Sequence, residues 1–191
     1  MKTMEPCTLV IFGAGGNLAR IKLIPALFRL EAAGRLPEKM VILASSLEPW
    51  TREQWLDEVT AMLHNKYPQG YDEQAFKRFR ARLHYHPNPP DDADSYQKLH
   101  KLLDVDSAFP PNAVFYMSVR PSEFPGIIEK LGGVELLKQK HGWRRVVIEK
   151  PFGHDLLSAQ TLQSSLHRHL DEQQIYRIDH YLGKGTVQNI M

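Results

Sequence analysis

Thr8-Leu-Val-Ile-Phe12 runs straight into Gly13-Ala-Gly-Gly-Asn-Leu-Ala19, and this junction decides the fold. Thr8–Phe12 is short, apolar and rich in β-branched residues, the composition of a strand buried on both faces. The glycines end it. From Asn17 to Ala33 the apolar residues Leu18, Ile21, Ile24, Leu27, Phe28 and Leu30 recur at helical spacing, and Gly34 marks a stop. Gly13-x-x-Gly16-x-x-Ala19 matches the dinucleotide fingerprint, with Gly15 supplying the G-x-G spacing. Glycines let the chain turn tightly and let a pyrophosphate approach the backbone. The helix that follows offers free N–H groups and its positive dipole end. The same residues would also serve a plain tight turn between packed elements. The strand before them and the helix after them favour a coenzyme.

Outward from this unit, short apolar runs alternate with amphipathic stretches. Strands are expected at Met40–Ala44, Leu83–His86, Ala113–Val119 and Arg145–Ile148, with an extended stretch at Gln174–Ile178. Helices are expected at Thr51–His64, Tyr71–Leu83, Ala93–Leu103, within Glu123–Lys140 with an interruption near Gly132–Gly133, and at Leu156–Leu170. Thr51 and Gln54 have the spacing of a capping box. This alternation predicts an α/β fold, a Rossmann-like doubly wound parallel sheet with helices on both faces. Ligands of such sheets sit at the carboxyl ends of the strands. Three strand ends carry chemistry here: Gly13–Gly16, Ser45–Ser46 and Glu149–Lys150.

The end of the second strand bears on coenzyme choice. An acid there would take the 2′-hydroxyl of NAD, and an arginine the 2′-phosphate of NADP. The sequence has Ala44-Ser45-Ser46-Leu47, with neither. Lys22, one turn into the first helix, is within reach of a phosphate or is an ordinary surface lysine. Lys150 is held out of helical geometry by Pro151, so it is either a fixed charge for a phosphate or sugar hydroxyl, or a surface lysine beside a turn. Arg177-Ile-Asp-His180-Tyr181-Leu-Gly-Lys184 places His180 and Lys184 four apart, on one face of a helix. Such a pair would clamp a phosphate or carboxylate. His84-x-His86 lacks a third ligand, so no metal site is expected. The basic run Lys77-Arg78-x-Arg80-x-Arg82 reads as a solvated helix face.

Composition narrows the class. In 191 residues the hydrophobic share is 42% and the charged share 24%, which fits a globular domain with or without the stub of a second. A net charge of +2 gives no bulk footprint for nucleic acid. No apolar run reaches the ~18–20 residues of a membrane span. The one cysteine, Cys7, fits a reducing, cytoplasmic setting.

Taken together, the motifs resemble the glucose-6-phosphate dehydrogenase family. They are GAGGNLARIKLIPALF at Gly13–Phe28, EKPFG at Glu149–Gly153 and RIDHYLGK at Arg177–Lys184. The resemblance implies a coenzyme domain over residues 1–176 and the start of a substrate domain at 177–191. It implies NADP, with NAD as the alternative, held by Gly13, Ala14, Gly15, Gly16, Asn17, Leu18, Ala19, Lys22, Ser45 and Lys150. It implies glucose 6-phosphate as substrate, oxidised at carbon 1 in the first step of the pentose phosphate pathway. Lys150 would touch sugar and nicotinamide, while His180, Tyr181 and Lys184 would hold the 6-phosphate. The family usually has serine at Gly15, aspartate at Asn17 and arginine at Ser45. Its catalytic base falls beyond Met191, so no catalytic residue is assigned and this chain by itself is expected to be inactive. The alternative is a non-catalytic nucleotide-binding or interaction module derived from that enzyme. Surfaces that pack on the second domain are expected to expose apolar area through which the chain associates.

Overall fold

Side chains of β1 (Thr8–Phe12) divide the core in two. Val10 and Phe12 join one buried cluster and Ile11 the other, because successive strand residues point to opposite faces. The computed structural model describes residues 5–89, 92–150, 152 and 155–178. Among them, β1 is joined by β2 (Val41–Ser46), β3 (Leu83–Pro87), β4 (Ala113–Met117), β5 (Arg144–Glu149) and β6 (Ile175–Ile178). The sheet has six strands in the order β3-β2-β1-β4-β5-β6, and every pairing is parallel. The doubly wound fold expected from the alternation is therefore present. β6 pairs with β5 through Ile178, so it runs across the expected domain boundary at 176.

One face of the sheet is covered by α1 (Ile24–Ala32), α2 (Arg52–Lys66) and α3 (Glu73–Arg82), around Phe28, Trp55 and Phe79. The other is covered by α4 (Ser95–Val105), α5 (Phe124–Gly133) and α6 (Leu156–His167), around Phe115, Phe124 and Ile128. Phe28 meets Tyr67, Tyr71, Phe76 and Phe79 with ring centroids 5.3–6.1 Å apart. Such edge and tilted packing adds to the area each ring buries. The capping box at α2 forms as its spacing predicts, with Thr51 Oγ1 accepting from Gln54 N and Gln54 Oε1 accepting from Thr51 N.

Two expectations are corrected. The first helix is not a regular α-helix from Asn17. Ala19–Leu23 form a π-helical turn before α1 begins. Ile24 N–H reaches back to Ala19 O, and Pro25, next in line, has no N–H to continue the ladder. The basic run on α3 is not simply a solvated face. Arg78 Nε and Arg82 Nε pair with the two oxygens of buried Glu31 at 3.1 and 2.9 Å. Arg82 Nη1 also donates to the carbonyls of Pro37, Glu38 and Met40 at 2.7–3.0 Å. The guanidinium ties α3 to α1 and to the loop that enters β2.

Arg144, at the start of β5, is a second internal clamp. It is 2% exposed, donates through Nη2 to Asp104 Oδ1 at 2.7 Å and through Nε to Leu136 O at 3.2 Å, and also bonds Pro111 O. Burial pushes its guanidinium pKa down, opposed by the charge of Asp104. Tyr176 and Ile178 on edge strand β6 are exposed apolar residues. No helix among the described residues is long and apolar enough to cross a membrane.

Candidate functional site

Strand order reverses between β1 and β4: β2 and β3 lie on one side of β1, and β4, β5 and β6 on the other. Chain connections leave opposite faces at that point and open a crevice above the strand ends. A cleft of about 870 Å³ lies there, lined by Gly13, Gly15, Gly16, Asn17 and Leu18 from the first turn. Ser45–Glu48, the end of β2 and the loop after it, close one side, with Asn88 and Tyr96 beyond β3 and Ser118–Arg120 beyond β4. Glu123, Gly126, Ile127 and Lys130 form its α5 wall.

The glycine turn is fixed from both neighbouring strands. The N–H groups of Gly13 and Ala14 donate to Ser45 O at 2.9 and 3.1 Å, and Gly16 N–H donates to Gly13 O at 2.9 Å. Gly13 has φ +77°, and a Cβ there would stand 2.5 Å from Ser118 O. No L side chain fits this position without moving the β4 end. Helical geometry starts at Asn17, so the first-turn N–H groups, which have no partner within a helix, face the cleft end of the chain.

Among the described residues, four buried side-chain polar atoms lack a hydrogen-bond partner, and two of them, Ser45 Oγ and Ser118 Oγ, belong to cleft residues. A buried hydroxyl without a partner is costly. Both residues line the cleft, Ser45 from the end of β2 and Ser118 from just past β4. The narrow glycine floor, the helix start and these two hydroxyls fit the pyrophosphate and ribose of a dinucleotide.

The structure brings six of the sequence-expected coenzyme residues to the cleft: Gly13, Gly15, Gly16, Asn17, Leu18 and Ser45. Ala14 and Ala19 are fully buried and pack in the α1–α3 core beneath the turn. Lys22 falls in the π-helical turn, exposed, and does not line the cleft. Lys150 is exposed at the end of β5, with its N–H donating to Ile178 O at 3.3 Å, and also stands outside the cleft lining. His180, Tyr181 and Lys184 lie outside the described residues. At the neighbouring strand ends, the Tyr116 hydroxyl donates to Glu149. Burial first, then Glu149, pushes the phenol pKa far up.

Several cleft residues were not singled out from the sequence. Glu48 is one, because it lies beyond the end of β2 and only the folded loop turns it back. Ser118 is another, because nothing in a strand-end serine distinguishes it until its lack of a partner is seen. Tyr96 and Lys130 come from helices whose cleft-facing ends only tertiary structure defines. Lys130 Nζ sits 5.4 Å from the centre of the Tyr96 ring.

Sequence relatives agree with this geometry. A family model described as glucose-6-phosphate dehydrogenase, NAD binding domain, matches residues 10–189. The chain is 39% identical over 194 residues to the glucose-6-phosphate 1-dehydrogenase of Chlamydia muridarum, covering 97% of this chain and 38% of that protein. It is 40% identical over 195 residues to that of Bacillus subtilis, covering 100% of this chain and 39% of that one. A solved glucose-6-phosphate dehydrogenase, in complex with its substrate glucose-6-phosphate, superposes with a TM-score of 0.85 at 34% identity, covering all of this chain and 40% of the other. The chain thus spans about two-fifths of the length of these relatives. With a family model covering nearly its whole length and the expected cleft at the expected strand ends, the chain belongs to the glucose-6-phosphate dehydrogenase family, of which it carries the coenzyme-binding domain.

Proposed function

We propose that this chain supplies the coenzyme-binding part of a glucose-6-phosphate dehydrogenase, with a nicotinamide dinucleotide held in the cleft between the β1 and β4 ends. The observation that carries the reading is the pairing of a glycine floor with two unpartnered buried hydroxyls, Ser45 and Ser118, in that cleft. When bound, the dinucleotide accepts a hydride. The chain's own residues bind and orient. The first-turn N–H groups from Asn17 onward point positive ends at the pyrophosphate. Gly13 and Gly16 keep the floor low. Ser45 and Ser118 offer hydroxyls to ribose and phosphate oxygens.

The substrate reading rests on the motifs at Lys150 and at His180, Tyr181 and Lys184. Lys150 stands at the end of β5, two strands from β1 on the β4 side, the half of the sheet away from β2 and its ribose end. The other three follow β6 in sequence. Holding the remote 6-phosphate fixes carbon 1 against the nicotinamide and turns binding energy into orientation. Of the two coenzymes open from the sequence, the family motifs support NADP, while the Glu48 carboxylate in the loop beyond β2 supports NAD.

Calorimetric titration of the chain tests this reading. It should take up one dinucleotide per chain, and glucose 6-phosphate should bind more weakly to a Lys184→Ala variant than to the parent. No uptake of either dinucleotide would contradict the assignment.

A further inference from the structure

Glu48 lies three residues past Ser45, and the loop beyond β2 turns its carboxylate back onto the glycine turn. A Cβ placed on Gly15 would stand 2.8 Å from Glu48 Oε2, 3.0 Å from Glu48 Oε1 and 2.7 Å from Ser46 Oγ. The contact is a relay. Gly15 N–H donates to Ser46 Oγ at 3.2 Å, and the Ser46 hydroxyl donates to Glu48 Oε2. The position is held from below as well, since the Tyr85 hydroxyl donates to Glu48 O at 2.7 Å. Tyr85 packs against Trp50 and Trp55 at 5.9 and 5.7 Å. The carboxylate is half-buried, lines the cleft and, among the described residues, forms no ion pair. Its second oxygen, Oε1, accepts no hydrogen bond from any described residue.

We propose that Glu48 sets the coenzyme choice of this cleft, its carboxylate accepting the 2′-hydroxyl of an unphosphorylated adenosine ribose and excluding a 2′-phosphate, so that the chain selects NAD over NADP. The inference rests on the reading that the cleft holds a nicotinamide dinucleotide. In doubly wound sheets the ribose lies at the end of the second strand, where Glu48 Oε1 stands ready to accept. A 2′-phosphate would bring like charge to within contact of this carboxylate, and the two serines beside it, Ser45 and Ser46, supply no compensating charge. The remaining charged groups of the cleft stand on the β4–α5 side. Arg120 is exposed, with Nε 3.8 Å from Glu123 Oε2, and Lys130 lies over the Tyr96 ring.

The test is the ratio of two dissociation constants, measured by calorimetry on the same chain. NAD should bind at least about tenfold more tightly than NADP, a factor worth about 1.4 kcal/mol. Glu48→Gln keeps the size and an acceptor oxygen but removes the charge. It should tighten NADP about tenfold and change NAD by less than about threefold. The parent ratio needs no variant, so misfolding of Glu48→Gln leaves the test intact. Equal binding of the two coenzymes, or tighter NADP, would overturn the proposal while leaving the dinucleotide reading standing. If NADP is the tighter and Arg120→Ala abolishes the preference, the cation across the cleft reads the phosphate instead. Failure of both coenzymes to bind would overturn the dinucleotide reading and this inference with it.

Discussion

Ser118 O stands where a side chain on Gly13 would have to go: a Cβ built on Gly13 falls 2.5 Å from that oxygen and 2.7 Å from Val119 Cγ1. The two residues directly follow adjacent strands, β1 and β4, and Ser118 N–H donates to Phe12 O at 2.9 Å. The cleft floor is therefore made by the approach of two backbones. Gly13→Ala would combine a left-handed φ with a backbone clash. It should cost at least about 2 kcal/mol of stability, read as a fall in the urea midpoint, and should weaken dinucleotide binding. An unchanged midpoint would show that the strand ends are looser than described.

Arg144 carries the second structural claim. It is buried, and its charge is met by Asp104 and by the carbonyls of Leu136 and Pro111. Removing one partner of a buried pair leaves the other uncompensated. Arg144→Ala should destabilise the fold by roughly 3–5 kcal/mol, measured by denaturant unfolding. A cost below about 1 kcal/mol would mean that Arg144 behaves as a surface residue.

Stability should depend on pH through two histidines on β3. Burial first, and then the charge of Arg52, pushes the His84 imidazole below its usual value of 6.5. Burial does the same for His86, against the hydrogen bond between its Nε2 and Ser95 O at 3.0 Å. In each case the unfolded chain takes up a proton more readily than the folded chain. Stability is therefore lost as pH falls through about 6.5 towards the lower folded values. The urea midpoint should be lower at pH 5.5 than at pH 7.5, and His86→Gln should reduce the difference. The lowered carboxyls of Glu129, Glu135 and Glu172, Glu135 at about 2, act in a separate window. Their contribution is present above the usual 4.5 and fades below it. A midpoint constant between pH 7.5 and 5.5 would contradict the histidine assignment.

Much of the fold is legible in local pattern. Thr8–Phe12 is bounded by glycine and matches its strand residue for residue. Gly34 takes φ +62° just past α1, as a helix stop should. The Gly132–Gly133 interruption coincides with the end of α5, where Gly132 also leaves room for the His169 ring. Legibility fails where distant groups decide. The π-helical turn depends on how the missing N–H of Pro25 is accommodated. The role of Arg78 and Arg82 depends on Glu31, which lies 47 and 51 positions earlier in the chain and becomes their partner only after folding. Glu48 could not be placed by reading the β2 end alone, because the acid comes back from beyond it. Gly15 and Ser45 each depart from the family pattern. In the fold, Gly15 meets the Ser46–Glu48 pair that adjoins Ser45, and its small size is what admits that pair.

The most direct test of the dinucleotide site is to follow backbone amide resonances of the chain while NAD is added. Saturable shifts are expected to concentrate at Gly15, Gly16, Asn17 and Leu18, at Ser45–Glu48 and at Ser118–Arg120, with little change at the Asp104–Arg144 clamp. Shifts confined to the β5–β6 edge, or none at saturating NAD and NADP, would contradict it.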